Sequence, residues 1–134
     1  MGAYLSCYAP YIPWLGVGMA TGTYDIPVPH VRLAAAYTNT VPVDAYRGAG
    51  RPEASYLIER AVDNTARELG LTPDALRRKN LIQPKALPYP TPTGQVYAPG
   101  DCPATIAHRQ ERSGREGLGK RAWRARTPAE GRAT

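Results

Sequence analysis

A chain of 134 residues has room for one domain. With no Phe, nine Tyr, 14 Pro and 13 Gly, its composition suits a loop-rich α+β piece better than a helical bundle. The net charge of +6 is concentrated between His108 and Thr134, where eight Lys/Arg face three Glu, so the body of the chain is close to neutral and the basicity is a property of the tail.

In chain order, the first 22 residues alternate Tyr8, Pro10, Tyr11, Pro13, Trp14, Gly16 and Gly18, a mixture that predicts an irregular segment with aromatic surface. Gly16-Val17-Gly18 and Gly22 do not make a phosphate-binding fingerprint and read as a turn. Val31, Leu33, Ala35 and Tyr37 share one parity, which predicts a half-buried strand from about residue 31 to 38. Pro42 then carries the chain into a loop.

The clearest helix runs from about residue 52 to 69. Ala54, Leu57, Ile58, Ala61, Val62, Ala66 and Leu69 recur at helical spacing. Pro52 suits its first turn, Glu53 complements the positive end of its dipole, and Gly70 closes it. Thr72 as N-cap and Pro73 at the first helical position start a second helix reaching about Asn80. On the long helix, Glu59 falls on the polar flank and reads as a solvated carboxylate.

Residues 83–103 carry six prolines and read as an extended linker or surface loop. From Ile106 onward only Leu118 and Trp123 are sizeable apolar groups, too few to offset the entropy of ordering the chain. A domain at 1–103 and a disordered basic tail at 104–134 are expected. Cys7 and Cys102 stand apart, without a CxxC or a His at ligand spacing, so no protein-held metal site is expected from them. The start of the chain lacks the pattern of a signal peptide and no run is long enough to span a bilayer, so a cytoplasmic setting without membrane insertion is expected.

The segment with chemical promise is Val43-Asp44-Ala45-Tyr46-Arg47-Gly48-Ala49-Gly50-Arg51-Pro52-Glu53. Two glycines let backbone amides approach a ligand, a helix start presents unsatisfied N–H groups, and two arginines add fixed charge, a combination suited to an anion. A solvated turn with a helix behind it explains the same composition, and the residues alone leave both open.

Tyr37-Thr38-Asn39-Thr40, then Ala45-Tyr46-Arg47-Gly48-Ala49-Gly50-Arg51, then Pro52-Glu53-Ala54, resembles the active-site loop of the xanthine dehydrogenase and aldehyde oxidase superfamily. It is similar above all to the carbon monoxide dehydrogenase-like large subunits. Tyr24-Asp25-Ile26-Pro27, Leu76-Arg77-Arg78-Lys79-Asn80 and Thr91-Pro92-Thr93-Gly94 extend the likeness over residues 1–103. The resemblance implies an α+β fragment of a molybdopterin-binding domain, part of an oxidoreductase that hydroxylates aldehydes or heteroaromatic compounds.

The resemblance also implies that Tyr46, Arg47, Gly48, Ala49, Gly50 and Arg51 line a molybdenum–molybdopterin pocket, the cofactor being of the cytosine dinucleotide form. Partner subunits would carry FAD and 2Fe-2S clusters, and the substrate would be a small molecule. A glutamate base of the family lies beyond this chain, so no catalytic residue is assigned within it and the isolated chain is expected to be inactive. At Gly48, carbon monoxide-oxidising relatives carry a copper-binding cysteine, and at Ala49 purine-oxidising relatives carry a phenylalanine. Both departures weigh against those substrates. Past residue 100 the chain leaves the family pattern, and a reading-frame shift between 100 and 108 accounts for the Arg/Gly/Ala-rich end. The competing readings are a small basic nucleic-acid-binding protein and a regulatory remnant.

Overall fold

The computed structural model describes residues 1–114. Four helices, a 3₁₀ turn and a two-stranded hairpin make an α+β arrangement, as the sequence implies: α1 (Tyr11–Gly18), α2 (Arg51–Glu68), α3 (Pro73–Asn80), a 3₁₀ turn (Pro84–Ala86), β1 (Tyr89–Pro90), β2 (Val96–Tyr97) and α4 (Cys102–Arg112). Among the described residues, no helix is long and apolar enough to cross a membrane.

Helix α2 is built as its sequence requires. Pro52 and Glu53 occupy its first turn, Arg67 its last. Gly70 at φ +65° ends it, with Leu71 N–H donating to Ala66 O (2.8 Å) and Gly70 N–H to Arg67 O (3.2 Å). Ala54 and Ala66 are buried, while Leu57 and Leu69 stay 68% and 61% exposed, so only part of the apolar stripe finds a partner within the chain. Helix α3 starts where Thr72 Oγ1 accepts from Ala75 N–H (3.2 Å) with Pro73 behind it.

The core is small and lies where α2, α3 and two loops meet. Tyr24, Ala66, Leu76, Leu81 and Ile82 are buried there, while Ala9 and Ala54 are buried where α1 meets the start of α2. An antiparallel bridge joins Tyr24 to Leu81, reinforced by Asp25 N–H to Asn80 O (2.8 Å) and Ile82 N–H to Thr23 O (3.1 Å). The hairpin pairs Tyr89 with Tyr97 and Pro90 with Val96. It is pinned to the turn after α1: Tyr97 OH donates to Gly22 O (2.8 Å), Thr93 Oγ1 to Gly18 O (2.7 Å) and Tyr89 OH to Asp25 Oδ1 (2.8 Å).

Four expectations change. The irregular opening segment contains α1, because Pro13 falls within its first turn, where no backbone donor is lost. The strand expected from 31 to 38 is not formed: residues 28–38 run without turn or bend but join no strand among the described residues, since pairing is a non-local property that alternation cannot supply. Residues 83–103 are more than a linker, because they close the hairpin.

The tail expected to be disordered from residue 104 begins as α4. Asp101 caps that helix, its Oδ1 accepting from Ala104 N–H (2.8 Å). Gln110 then bridges to both Asp74 and Arg78 of α3. Capping and polar docking order this segment without the apolar burial that the sequence lacks. The rest of the tail, and with it the rest of that expectation, lies outside the described residues.

Candidate functional site

The loop of residues 43–51 is held from both ends. Upstream, the first residues of the chain clamp its approach: Met1 N donates to Ala36 O (2.9 Å), Thr38 N–H to Gly2 O (3.0 Å), and Ala3 N–H to Thr40 O (3.0 Å). Ser6 Oγ adds a bond to Val43 O (2.7 Å). Gly2 makes the close approach possible, because a Cβ there would sit 2.4 Å from the Pro42 Cα.

Downstream, the loop passes into α2 through three successive residues with positive φ: Gly48 (+91°), Ala49 (+39°) and Gly50 (+91°). Glycine takes this conformation readily. Ala49 does not, and among the described residues no other non-glycine residue has positive φ. Local hydrogen bonds hold the turn: Ala49 N–H to Tyr46 O (3.0 Å), Arg51 N–H to Gly48 O (3.0 Å) and Ala54 N–H to Gly50 O (2.9 Å). Arg51 braces it through its guanidinium, which donates to Gly48 O at 3.4 Å.

The six residues singled out from the sequence therefore form one continuous turn, but they face different surroundings. Gly50 is buried against α1, where its own O lies 3.1 Å from the place a Gly16 Cβ would take. Gly48 is open apart from the Pro52 ring behind it. Tyr46 is 79% exposed, with the Arg47 guanidinium 5.9 Å from its ring centroid, a cation–π contact that orients the charge. Neither the Gly48 nor the Gly50 amide has an acceptor among the described residues.

Behind the loop, an apolar cavity of about 470 Å³ lies between α1, the first turns of α2 and residues 31–36. Glu53 reaches its rim and is exposed. Among the described residues no cluster of His, Cys, Asp and Glu could hold a metal ion directly.

Glu59, its side chain still 44% exposed, is more than the solvated carboxylate its position on the helix suggested. It accepts from Tyr24 OH (2.7 Å) and from Arg77 Nε (2.8 Å), while Arg77 also reaches Asp63 (2.8 Å). Burial raises the Tyr24 phenol well above its ordinary value, and the Glu59 carboxylate adds to the shift. For Arg77, burial opposes the charge but the two carboxylates outweigh it and hold the guanidinium protonated. Helical spacing places Glu59 and Asp63 one turn apart on one flank, a visible pair of acids. Only the fold brings Arg77 and Tyr24 to them.

Residues 1–81 match the family model described as the molybdopterin cofactor-binding domain. The chain is 39% identical over 108 residues to the carbon monoxide dehydrogenase large chain of Afipia carboxidovorans, covering 78% of this chain and 13% of the relative. It is 35% identical over 80 residues to the nicotine 6-hydroxylase large subunit of Paenarthrobacter nicotinovorans, covering 60% and 10%. Among solved structures, quinoline 2-oxidoreductase from Pseudomonas putida 86 superposes with a TM-score of 0.76 at 31% identity, covering 93% of this chain and 16% of that one. The chain thus spans a small part of the length of the relatives it matches.

Proposed function

Because the chain belongs to the molybdopterin cofactor-binding domain family of xanthine oxidase-type large subunits, we propose that its loop of residues 46–51 is one wall of the molybdenum cofactor pocket of a hydroxylase. The observation that carries this reading is the left-handed run Gly48-Ala49-Gly50 at the start of α2, strained at Ala49. Strain of this kind persists where a site needs a particular backbone shape. Here it leaves the exposed Gly48 with no side chain and with an amide that has no acceptor among the described residues.

These residues fit an oxygen-rich, anionic group approached from one side. Gly48 admits it closely and offers an N–H, Arg47 supplies a charge steadied over Tyr46, and Arg51 holds the turn in shape. Ala49 sets the width of the pocket at this wall. When bound, the molybdenum–molybdopterin group supplies the two-electron oxidation chemistry; the cytosine dinucleotide form is the one proposed. No residue of the loop is placed to move a proton. Glu59 is committed to Tyr24 and Arg77 and is not free to act as a base; the base is proposed to come from polypeptide outside this chain, which would leave the isolated chain without turnover.

The substrate proposed is a heteroaromatic compound or an aldehyde. Two relatives are named for oxidising nicotine and quinoline, both heteroaromatic. Gly48 offers no thiolate to bind copper, which argues against carbon monoxide despite the likeness to that enzyme's large chain. Ala49 offers no aromatic face for a purine. The whole enzyme would work with a medium subunit carrying FAD and a small subunit carrying 2Fe-2S clusters, in the cytoplasm.

The test is a transplant. The matching stretch of the quinoline 2-oxidoreductase large chain is replaced by residues 1–103, and molybdenum content and quinoline oxidation are measured. A chimera that retains molybdenum and loses most of it on Arg47→Ala supports the wall. A folded chimera in which Arg47→Ala changes neither molybdenum nor turnover overturns it. Stoichiometric molybdenum in the isolated chain would overturn its inactivity.

A further inference from the structure

Residues 31–40 are all exposed, and much of the stretch is apolar: Val31, Leu33 and Tyr37 are 44%, 51% and 66% open. The chain runs there without turn or bend from 28 to 38. None of the amides of residues 31–37 donates to a backbone acceptor among the described residues, and of their carbonyls only that of Ala36 accepts, from Met1 N. A row of unpaired backbone groups beside alternating apolar side chains is a template for strand addition. Beside it lies the cavity of about 470 Å³, with Val31 and Leu33 on one wall and Ile12, Val17, Ala54 and Leu57 on the other.

We propose that residues 31–37 are the docking edge for a β-strand supplied by large-subunit polypeptide outside this chain, whose apolar side chains fill that cavity. The proposal rests on the reading of the chain as part of a molybdopterin-binding large subunit. The occupant follows from two observations. The same fold occurs in quinoline 2-oxidoreductase as 16% of a much longer chain, so in that relative further polypeptide of the same subunit is at hand to pair with it. The edge itself carries Arg32 as its sole charged side chain, so it suits an uncharged, apolar strand better than a polyanion or an acidic surface. Backbone pairing would give affinity, and the cavity would choose among strands by the size of alternate side chains.

The experiment co-expresses the full chain with the quinoline 2-oxidoreductase large chain from which the matching stretch has been excised. Complex formation and amide hydrogen exchange are then measured. The expected result is a one-to-one complex in which exchange at residues 31–37 slows by about tenfold or more relative to the chain alone. In a ladder, neighbouring amides point to opposite sides, so Leu33→Pro and Ala34→Pro should differ. One should weaken the complex about tenfold and the other much less. Leu33→Asp, which keeps the amide and puts a carboxylate at the cavity, should weaken it at least as much. Unchanged protection of α2 in each variant shows that the fold survives.

Absence of a complex, or a complex without protection at 31–37, overturns the proposal. So does equal protection in a dimer of this chain alone, which would make a second copy the occupant. None of these readouts requires molybdenum. A protected complex that binds no molybdenum would fail the pocket reading and leave the docking edge standing.

Discussion

A Cβ placed on Gly50 would lie 1.9 Å from the carbonyl oxygen of Ile12, so α1 and the start of α2 approach as closely as backbone allows. Two sequence features that look unrelated, the glycines of the opening segment and the glycine-rich loop, are thereby one packing unit. Gly50 is explained by this contact before any ligand is considered.

Gly50→Ala is expected to lower stability by about 3 kcal/mol or more, combining a left-handed backbone with a clash against another main chain. Gly94→Ala is the control: its φ of +86° is similar, yet a Cβ there meets nothing within 4 Å. It should cost about 1 kcal/mol. Urea midpoints of the two variants check this, and equal losses would mean the contact with α1 is unimportant.

Ala49→Gly is expected to stabilise the chain by about 1 kcal/mol, since it removes the strain of a non-glycine residue at φ +39°. A higher urea midpoint with an unchanged slope is the expected outcome. A destabilised variant would show that the methyl group packs against something more valuable than the strain it causes.

Tyr24→Phe is expected to cost about 1.5 kcal/mol at neutral pH, because Glu59 loses a hydrogen bond to a phenol that is only 2% exposed. The phenol's folded pKa is raised above its ordinary 10.0, so its contribution is complete below that value. Above about pH 10 the unfolded chain ionises first and stability falls. The gap between the parent chain and Tyr24→Phe should therefore narrow as pH rises beyond 10 in chemical unfolding. A gap that widens there would mean Tyr24 is not held neutral by burial and Glu59.

Asp101→Ala is expected to fray α4 at a cost of about 1 kcal/mol, by removing the cap on Ala104 N–H. Hydrogen exchange should quicken through 102–112 while α2 and the Tyr24–Leu81 bridge keep their protection. Loss of protection across the whole molecule would show that α4 belongs to the same cooperative unit as the core.

Much of the fold was legible in residues that act locally. Thr72 and Pro73 start α3, Pro52 and Glu53 open α2, and Gly70 ends it, because caps, fixed φ values and left-handed glycines need only their immediate neighbours. The loop of residues 46–51 was legible as a unit for the same reason, and the ordered motifs around it carried the family. Asp101 ahead of Pro103 is a local capping signal of the same kind, though it was not among those singled out from the sequence.

What only the tertiary structure decided depends on contacts between distant residues. Gly16 and Gly18 belong to a helix, and what they pack against, Gly50 and the Gln95 side chain, lies more than thirty residues away. Glu59 is a solvated acid on a helical wheel and the centre of a polar cluster once Tyr24 and Arg77 arrive. Alternation at 31–37 specifies a strand's two faces, but a ladder needs a second backbone, and none within the described residues pairs with it. Local conformational preference is written in a few adjacent residues, whereas pairing and burial are settled only when the whole surface around them exists.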